Sequence, residues 1–215
     1  MNIAGFELWQ IIDITILLLI GMGPKIALVP FIDMTADLDS DTRKQVAKKM
    51  ITTATTWALI LVFLGAFLMK LLHFSEEALY IAGGIVFLLI ALHMLVGAGG
   101  DDKKHDKVTR AKALEMAQYP LAIPYLLNPV GIVMLVIFST SIDSVSKLAL
   151  FVGLVLFMAL LDWLVFSHLD GLMKHLDKSR LAVTEAIFGV LLSALAVELV
   201  LIGLSGLGVI EAVAH

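Results

Sequence analysis

Two apolar stretches of this chain are interrupted by proline at corresponding positions in its two halves. Pro24 breaks the first stretch, and Pro129 breaks the fourth, 105 residues later. A proline inside a helix removes one backbone hydrogen bond and clashes with the preceding turn. In a bilayer, the carbonyl freed in this way needs protein, water or a ligand as its partner. Because matched broken helices are typical of transporter binding sites, the pattern predicts a small secondary transporter.

The composition predicts an all-α polytopic membrane protein. Of the 215 residues, 60% are hydrophobic and 16% are charged, and the mean hydropathy is +0.99. A soluble domain of this size has to wet its outer face and does not need so much apolar surface. Spans of about 20 apolar residues cross a bilayer. Six are predicted, at residues 8–31, 51–72, 78–98, 116–138, 148–168 and 183–205.

The basic residues predict the orientation of these spans. Of 15 lysines and arginines, twelve lie in the first, third and fifth loops, and the termini carry none. Basic loops remain cytoplasmic. The sequence therefore predicts a multi-pass protein of the inner membrane with both termini extracytoplasmic. The polar residues from Asp41 onward predict that the second helix begins as a short cytosolic extension.

Three spans in each half imply that the second half is inserted upside down relative to the first. We expect two inverted-topology repeats, at residues 1–98 and 116–215, joined by a cytoplasmic linker at 99–115. A constant offset of 105 aligns them, and it relates these pairs: Pro24 and Pro129, Gly84 and Gly189, Ala91 and Ala196, His93 and Glu198, Trp57 and Asp162. Such repeats place the substrate between the halves and alternate access by rocking.

The residues around the two breaks are the predicted substrate-binding site: Gly21, Gly23, Pro24, Lys25, Asn128, Pro129 and Gly131. Glycine permits close backbone approach, and the asparagine amide offers both a donor and an acceptor. Ends of half-helices add N–H and C=O groups that carry partial charge. A lysine inside a membrane needs a cavity or a counter-charge. Lys25 is therefore expected to bind an anionic group of the substrate or to carry a coupling proton. The alternatives are a structural ion pair with a buried acidic residue, or a span boundary that lies close to Lys25.

Four further titratable residues fall within predicted spans: Asp13, His93, Asp162 and Glu198. Acidic groups along a path suit the relay of protons or cations, which favours a role in coupling or gating. Asp13 could instead reach water near the outer end of its span. His93 could instead hydrogen-bond a neighbouring helix.

Other chemistries are not predicted. The chain has no cysteine, which excludes disulfides and thiolate metal sites. The acidic and basic run at 101–106 is expected to be a solvated linker rather than a metal site. Gly203-Leu204-Ser205-Gly206 matches a motif of intramembrane serine proteases, but small residues closing a helix explain it better, so no enzyme is expected. We predict no cofactor and no nucleic-acid partner. The expected partners are a small-molecule substrate, a coupling ion and the lipid bilayer, and a homo-oligomer is compatible with the sequence.

Several segments resemble the MarC family of six-span membrane proteins, within the wider LysE transporter superfamily. The resemblance is carried by four segments, at residues 23–49, 80–95 ("YIAGGIVFLLIALHML"), 119–132 ("YPLAIPYLLNPVGI") and 185–204. It implies a transporter of small neutral amino acids such as glycine and alanine, coupled to protons or sodium, with export as one direction. The chain departs from the family pattern at both breaks, where it has Gly23-Pro24-Lys25 and Asn128-Pro129-Val130.

Two other functions remain open at this point. An exporter of inorganic cations would use the intramembrane carboxylates Asp13, Asp162 and Glu198. A non-transporting membrane scaffold would pair its polar residues internally. Solute flux separates both transporters from the scaffold, and neutralising Lys25 separates the two transporters, because a cation pathway tolerates the loss of a positive charge.

Overall fold

In its described residues the chain is mainly helical, with a short hairpin near its start. The computed structural model describes residues 2–3, 5–97, 109–169 and 178–211. The hairpin strands are β1 (Asn2–Ile3) and β2 (Phe6–Glu7), and the helices are α1 (Leu8–Met22), α2 (Pro24–Met34), α3 (Ser40–Leu72), α4 (Glu76–Gly97), α5 (Arg110–Met116), α6 (Pro129–Thr140), α7 (Val145–Ser167) and α8 (Lys178–Gly206). An irregular helical stretch at Ala117–Leu126, here called the proline segment, lies between α5 and α6.

Both predicted breaks are confirmed, and they share one backbone conformation. Gly23 precedes α2 with φ −92° and ψ 166°, and Asn128 precedes α6 with φ −87° and ψ 170°. Pro24 and Pro129 then occupy the first helical position, where a missing N–H removes no helical hydrogen bond. The chain therefore restarts each half-helix in the same way.

The fourth span is more irregular than the sequence predicted. One break was expected within 116–138, but the backbone also leaves helical geometry at Tyr119 and Ile123, which directly precede Pro120 and Pro124. A residue before proline is pushed toward extended conformations, because the proline ring clashes with its backbone. The parts before and after Pro129 are bent by 69°. The predicted break at Pro129 is present, and two further departures from helical geometry precede it.

The predicted membrane spans agree with the helices in the described residues. Five helical stretches are long and apolar enough to cross a membrane, and the bent pair at Arg110–Leu126 and Pro129–Thr140 makes a sixth if it counts as one span. The second helix begins at Ser40, so its predicted extension ahead of the apolar run is confirmed. The segment 101–106 and most of the 99–115 linker lie outside the described residues.

The chain forms two compact units. The first comprises Met1–Ala66 and His105–His175. In it, α1 packs against α6 and α7, and α2 packs against the proline segment and α7. Its largest fully buried side chains include Leu18, Met22, Phe31, Leu126, Leu135 and Phe151. Both breaks therefore lie in this unit, within an apolar core.

The N-terminal hairpin, which the sequence did not predict, packs on the start of α7. The rings of Phe6 and Phe151 form a T-shaped pair with centroids 6.0 Å apart, and Phe138 of α6 stacks on Phe151 with centroids 5.4 Å apart. The ammonium of Lys147 lies 5.5 Å from the centre of the Phe6 ring. The hairpin thus adds an aromatic contact to the start of α7, where Lys147 also forms an ion pair at 2.7 Å with Asp143 of the preceding loop.

The second unit comprises Phe67–Lys104 and Leu176–His215 and is built on the antiparallel pair of α4 and α8. The two helices approach so closely that a Cβ at Gly84 would lie 2.7 Å from the carbonyl oxygen of Ala196. A Cβ at Gly189 would lie 3.3 Å from the carbonyl oxygen of Ala91. Gly203 packs in the same way against the first turns of α4, which supports the packing interpretation of the Gly-x-Ser-Gly motif.

Candidate functional site

The two breaks meet inside the first unit. Gly21, in the last turn of α1, lies against Gly131, in the first turn of α6, and a Cβ on either glycine would overlap the backbone of the other. Only glycine allows two backbones to approach so closely. We call this contact, together with Asn128, the junction.

Asn128 connects the two breaks through its backbone and its side chain. Its backbone N–H donates to the carbonyl oxygen of Gly21 at 3.0 Å, and its Nδ2 donates to the carbonyl oxygen of Ile20 at 2.7 Å. Its Oδ1 accepts from the N–H of Gly131 at 3.2 Å, which caps the start of α6. The residue is completely shielded from solvent. In this conformation both polar atoms of the Asn128 side chain are hydrogen-bonded, Nδ2 to the end of α1 and Oδ1 to the start of α6.

The partner of Asn128 is the carbonyl that Pro24 leaves unpaired. In an uninterrupted helix, the N–H of residue 24 would donate to the carbonyl of Ile20. Proline has no N–H, so that carbonyl is orphaned within an apolar core, where an unpaired polar group is costly. The amide of Asn128 replaces the lost donor. The second break therefore satisfies the backbone of the first.

The starts of the two half-helices differ in their capping. The N–H of Gly131 in α6 is bonded by the Asn128 side chain, whereas Gly23, at the equivalent position before α2, has no side chain to offer. A Cβ at Gly23 would overlap the carbonyl oxygen of Leu19, so the tight turn itself requires glycine. Lys25 follows in the first turn of α2 with an exposed side chain. Within the described part of the chain it forms no ion pair, so the structural-pair alternative finds no support there.

Asp162 lies on the buried face of α7 in the same unit. It has no exposed surface, and neither of its carboxyl oxygens has a hydrogen-bond partner among the described residues. Helix α7 packs against α1 and α2, the two halves of the first broken span. Asp162 lies one turn before Phe166, whose ring packs on Phe31 of α2, and no hydrogen bond joins it to the junction.

The other predicted coupling residues are not part of the junction. Asp13, on α1, is exposed. His93 and Glu198 belong to the second unit, His93 exposed on α4 and Glu198 half-buried on α8. Among the described residues, no group of three or more histidine, aspartate or glutamate side chains is placed to hold a metal ion.

Two polar atoms of the first unit were missed by sequence reasoning. The carbonyl of Ile20 was predictable, because it lies four residues before Pro24 and loses its donor there. The hydroxyl of Thr55 on α3 is buried without a partner in the described residues. No pattern in the sequence distinguishes Thr55 from the neighbouring threonines of that helix.

Taken together, these features define a helical integral membrane protein whose first and fourth apolar stretches are broken and joined at one junction. The model of the MarC family of integral membrane proteins matches residues 8–207. The chain belongs to the MarC family.

Individual relatives cover nearly the same length. UPF0056 membrane protein YhcE of Escherichia coli (strain K12) is 32% identical over 196 residues, which is 88% of this chain and 89% of the relative. UPF0056 membrane protein MJ1677 of Methanocaldococcus jannaschii is 27% identical over 187 residues, covering 86% of this chain and 91% of the relative. No solved structure gives a significant match.

Proposed function

We propose that this protein is a secondary transporter that moves a small neutral amino acid, such as glycine or alanine, across the inner membrane by alternating access. The observation that carries the proposal is the junction, where Asn128 hydrogen-bonds the carbonyls that the first break leaves free. Broken helices of this kind place backbone N–H and C=O groups inside the membrane, where they can bind a zwitterion. The chemistry is binding and release, and no catalytic step is involved.

The substrate carboxylate is proposed to bind near the start of α2. Gly23 has no side chain that could cap this helix, and Lys25 adds a positive charge in its first turn. A helix N-terminus and a nearby cation both favour an anion. The substrate ammonium would pair with backbone carbonyls at the ends of the broken helices. The carbonyls of Ile20 and Gly21 already accept hydrogen bonds from Asn128 in this conformation, so other carbonyls would bind the ammonium here.

An inverted repeat is proposed to provide the alternating motion. Its support is the recurrence of equivalent features 105 residues apart. Gly23 and Asn128 share their conformation, and α3 and α7 begin at residues 40 and 145. In the second unit, Gly84 contacts Ala196 and Gly189 contacts Ala91. Adding 105 to residues 84 and 91 gives 189 and 196, so each contact is the counterpart of the other on the two antiparallel helices. Reciprocal contacts of this kind are what a two-fold axis in the membrane plane produces.

Counterflow in proteoliposomes tests the proposed function. Vesicles loaded with unlabelled glycine should take up labelled glycine, and empty vesicles should not. Lys25→Gln should lower the exchange rate by roughly tenfold, equivalent to about 1.4 kcal/mol of lost binding. Lys44→Gln, which neutralises an exposed lysine in the first turns of α3, serves as the matched control and should exchange like the parent.

The outcome also separates the alternatives. Absence of glycine exchange in folded protein contradicts the amino-acid assignment. If Lys25→Gln instead preserves or raises a flux of divalent cations, the cation exporter replaces it. A chain that moves neither solute is a scaffold.

The proposed orientation can be tested with single cysteines, because the chain has none of its own. Ser141→Cys, in the loop after α6, should react with a membrane-impermeant maleimide from outside intact cells. Asp37→Cys, in the loop after α2, should react only after permeabilisation. Both native side chains are exposed, and the cysteine-free parent gives the background. The reverse pattern of labelling contradicts the extracytoplasmic placement of the termini.

A further inference from the structure

The buried face of α7 is apolar except at one position. Its buried residues recur every three or four positions and form a single stripe along the helix: Phe151, Val155, Met158, Asp162 and Phe166. One turn beyond Asp162, the ring of Phe166 packs on Phe31 of α2, with centroids 4.9 Å apart. A carboxyl group thus takes a place in the stripe that packing alone would assign to a hydrophobic side chain.

No charge in the described residues pairs with Asp162. The elements that pack on or touch α7 carry the following titratable groups: Glu7 of β2, Asp13 of α1, Lys25 and Asp33 of α2, and Lys147 of α7 itself; α6 carries none. Glu7, Asp13, Lys25 and Asp33 are exposed, and Lys147 pairs with Asp143. None of them forms an ion pair with Asp162 in the part of the chain that the structure describes.

An ionised carboxylate in these surroundings would cost several kcal/mol, because it is removed from water and gains no partner. A protonated carboxyl avoids that cost. A bound metal ion such as sodium would need several oxygen ligands, and among the described residues Asp162 belongs to no group of three or more histidine, aspartate or glutamate side chains that could supply them.

We infer that Asp162 is the proton-binding site that couples transport in this protein. The inference rests on the proposed function and specifies its coupling ion. In the conformation described here the carboxyl is shielded and holds its proton. A rearrangement of the first broken span, against which α7 packs, would expose it to water on one side. The O–H bond then breaks and the proton leaves to that side, and the carboxylate takes up a proton again when the site has opened to the other side.

Transport in proteoliposomes gives the first test, with labelled glycine as the probe. Asp162→Asn keeps the size of the side chain and imitates the protonated acid, so it should fold and continue to exchange glycine for glycine. It should no longer accumulate glycine under an imposed proton gradient, which the parent does. Asp33→Asn removes an exposed carboxylate of the same unit and is the matched control; it should behave like the parent in both assays. Gradient-driven accumulation by Asp162→Asn overturns the inference.

Infrared spectroscopy gives a second test that does not depend on the substrate. At neutral pH the parent should show the C=O stretch of a protonated carboxylic acid, absent from Asp162→Asn and retained in Asp33→Asn. Lack of this band in the parent refutes proton binding at Asp162. If the parent moves no glycine while the band depends on Asp162, the substrate assignment fails and proton binding stands. If Asp162→Asn also loses glycine exchange, the infrared band still tests the inference: its absence from the parent refutes proton binding at Asp162, and its dependence on Asp162 supports it.

Discussion

The two breaks of the first unit have the same backbone but opposite roles. Gly23 and Asn128 adopt nearly identical φ and ψ and each precedes a proline at the start of a half-helix. At the second break the residue before proline is an asparagine, which caps its own helix and also donates to the first break. At the first break it is a glycine, which offers no side chain. Two equivalent backbone conformations are thus completed by unequal side chains, and the first break depends on the second.

The strongest way to break this dependence is Asn128→Ala. It removes the cap of α6 and leaves the carbonyl of Ile20 without its donor in a buried place. Together these losses should lower the free energy of unfolding by about 2–4 kcal/mol. Denaturant titration in mixed micelles measures the change.

Asn128→Asp sharpens the test, because a carboxylate still accepts from Gly131 but cannot donate to Ile20. We expect the aspartate to lose most of the same stability at a pH where it is ionised, and to regain part of it as the pH falls and the protonated acid can donate to Ile20. An aspartate variant as stable as the parent would show that the bond to Ile20 contributes little.

The close approach at the junction can be tested with two glycines. Gly131→Ala places a methyl group on the backbone of Gly21, which should cost about 1–3 kcal/mol. Gly153→Ala, on α7, has nothing within 4 Å of the added methyl and should be neutral or gain about 0.5–1 kcal/mol from helix propensity. Thermal unfolding midpoints of the two variants should therefore shift in different directions. Equal shifts would mean that the glycines act only through backbone entropy.

The long helices α3 and α7, which follow the two breaks, are capped by different side chains at their starts. Ser144 precedes α7 and its hydroxyl accepts from the N–H of Lys147 at 3.4 Å. Because this bond is long and exposed, Ser144→Ala should cost about 0.5–1 kcal/mol, measured by the same titration. A loss as large as that of Asn128→Ala would show that the cap has a role beyond the end of its helix.

The smallest expected effect is a dependence on pH at the other cap. Asp39 precedes α3, and the Thr42 hydroxyl and then the Thr42 N–H, which both bond its carboxylate, hold the pKa of Asp39 below its ordinary value of 3.8. Because the folded pKa is lowered, the stabilisation is present above pH 3.8 and is lost as the pH falls through the folded pKa. Asp39→Asn removes this dependence. The stability difference between parent and variant should shrink in acid, and a constant difference contradicts the assignment.

The sequence predicted the features that depend on hydropathy and on proline. The spans, both breaks and the extension of the second helix follow from composition and from the missing N–H of Pro24 and Pro129. The pairing of Asn128 with Ile20 did not follow, because it joins different spans and depends on how α1 packs against α6. The bends at Tyr119 and Ile123 were predictable from the prolines that follow them, but they were not included.

The candidate site was predicted in part. Gly21, Asn128 and Gly131 were selected as site residues and lie together in the structure. Burial could not be predicted for the charged residues, since hydropathy places a residue in a span without saying which way it faces. Asp162 is shielded whereas Asp13 and Lys25 are exposed, and only packing distinguishes them. Their roles in transport stay predictions.

The bond between Asn128 and Ile20 spans 108 residues of sequence, and this has a consequence for biogenesis. The ribosome delivers the first broken span to the membrane well before residue 128 has been synthesised. Throughout that interval the first span lacks the donor that completes it. The first broken span is therefore completed only when the second half of the chain has been added, and a nascent chain that stops short of residue 128 leaves the carbonyl of Ile20 without this donor.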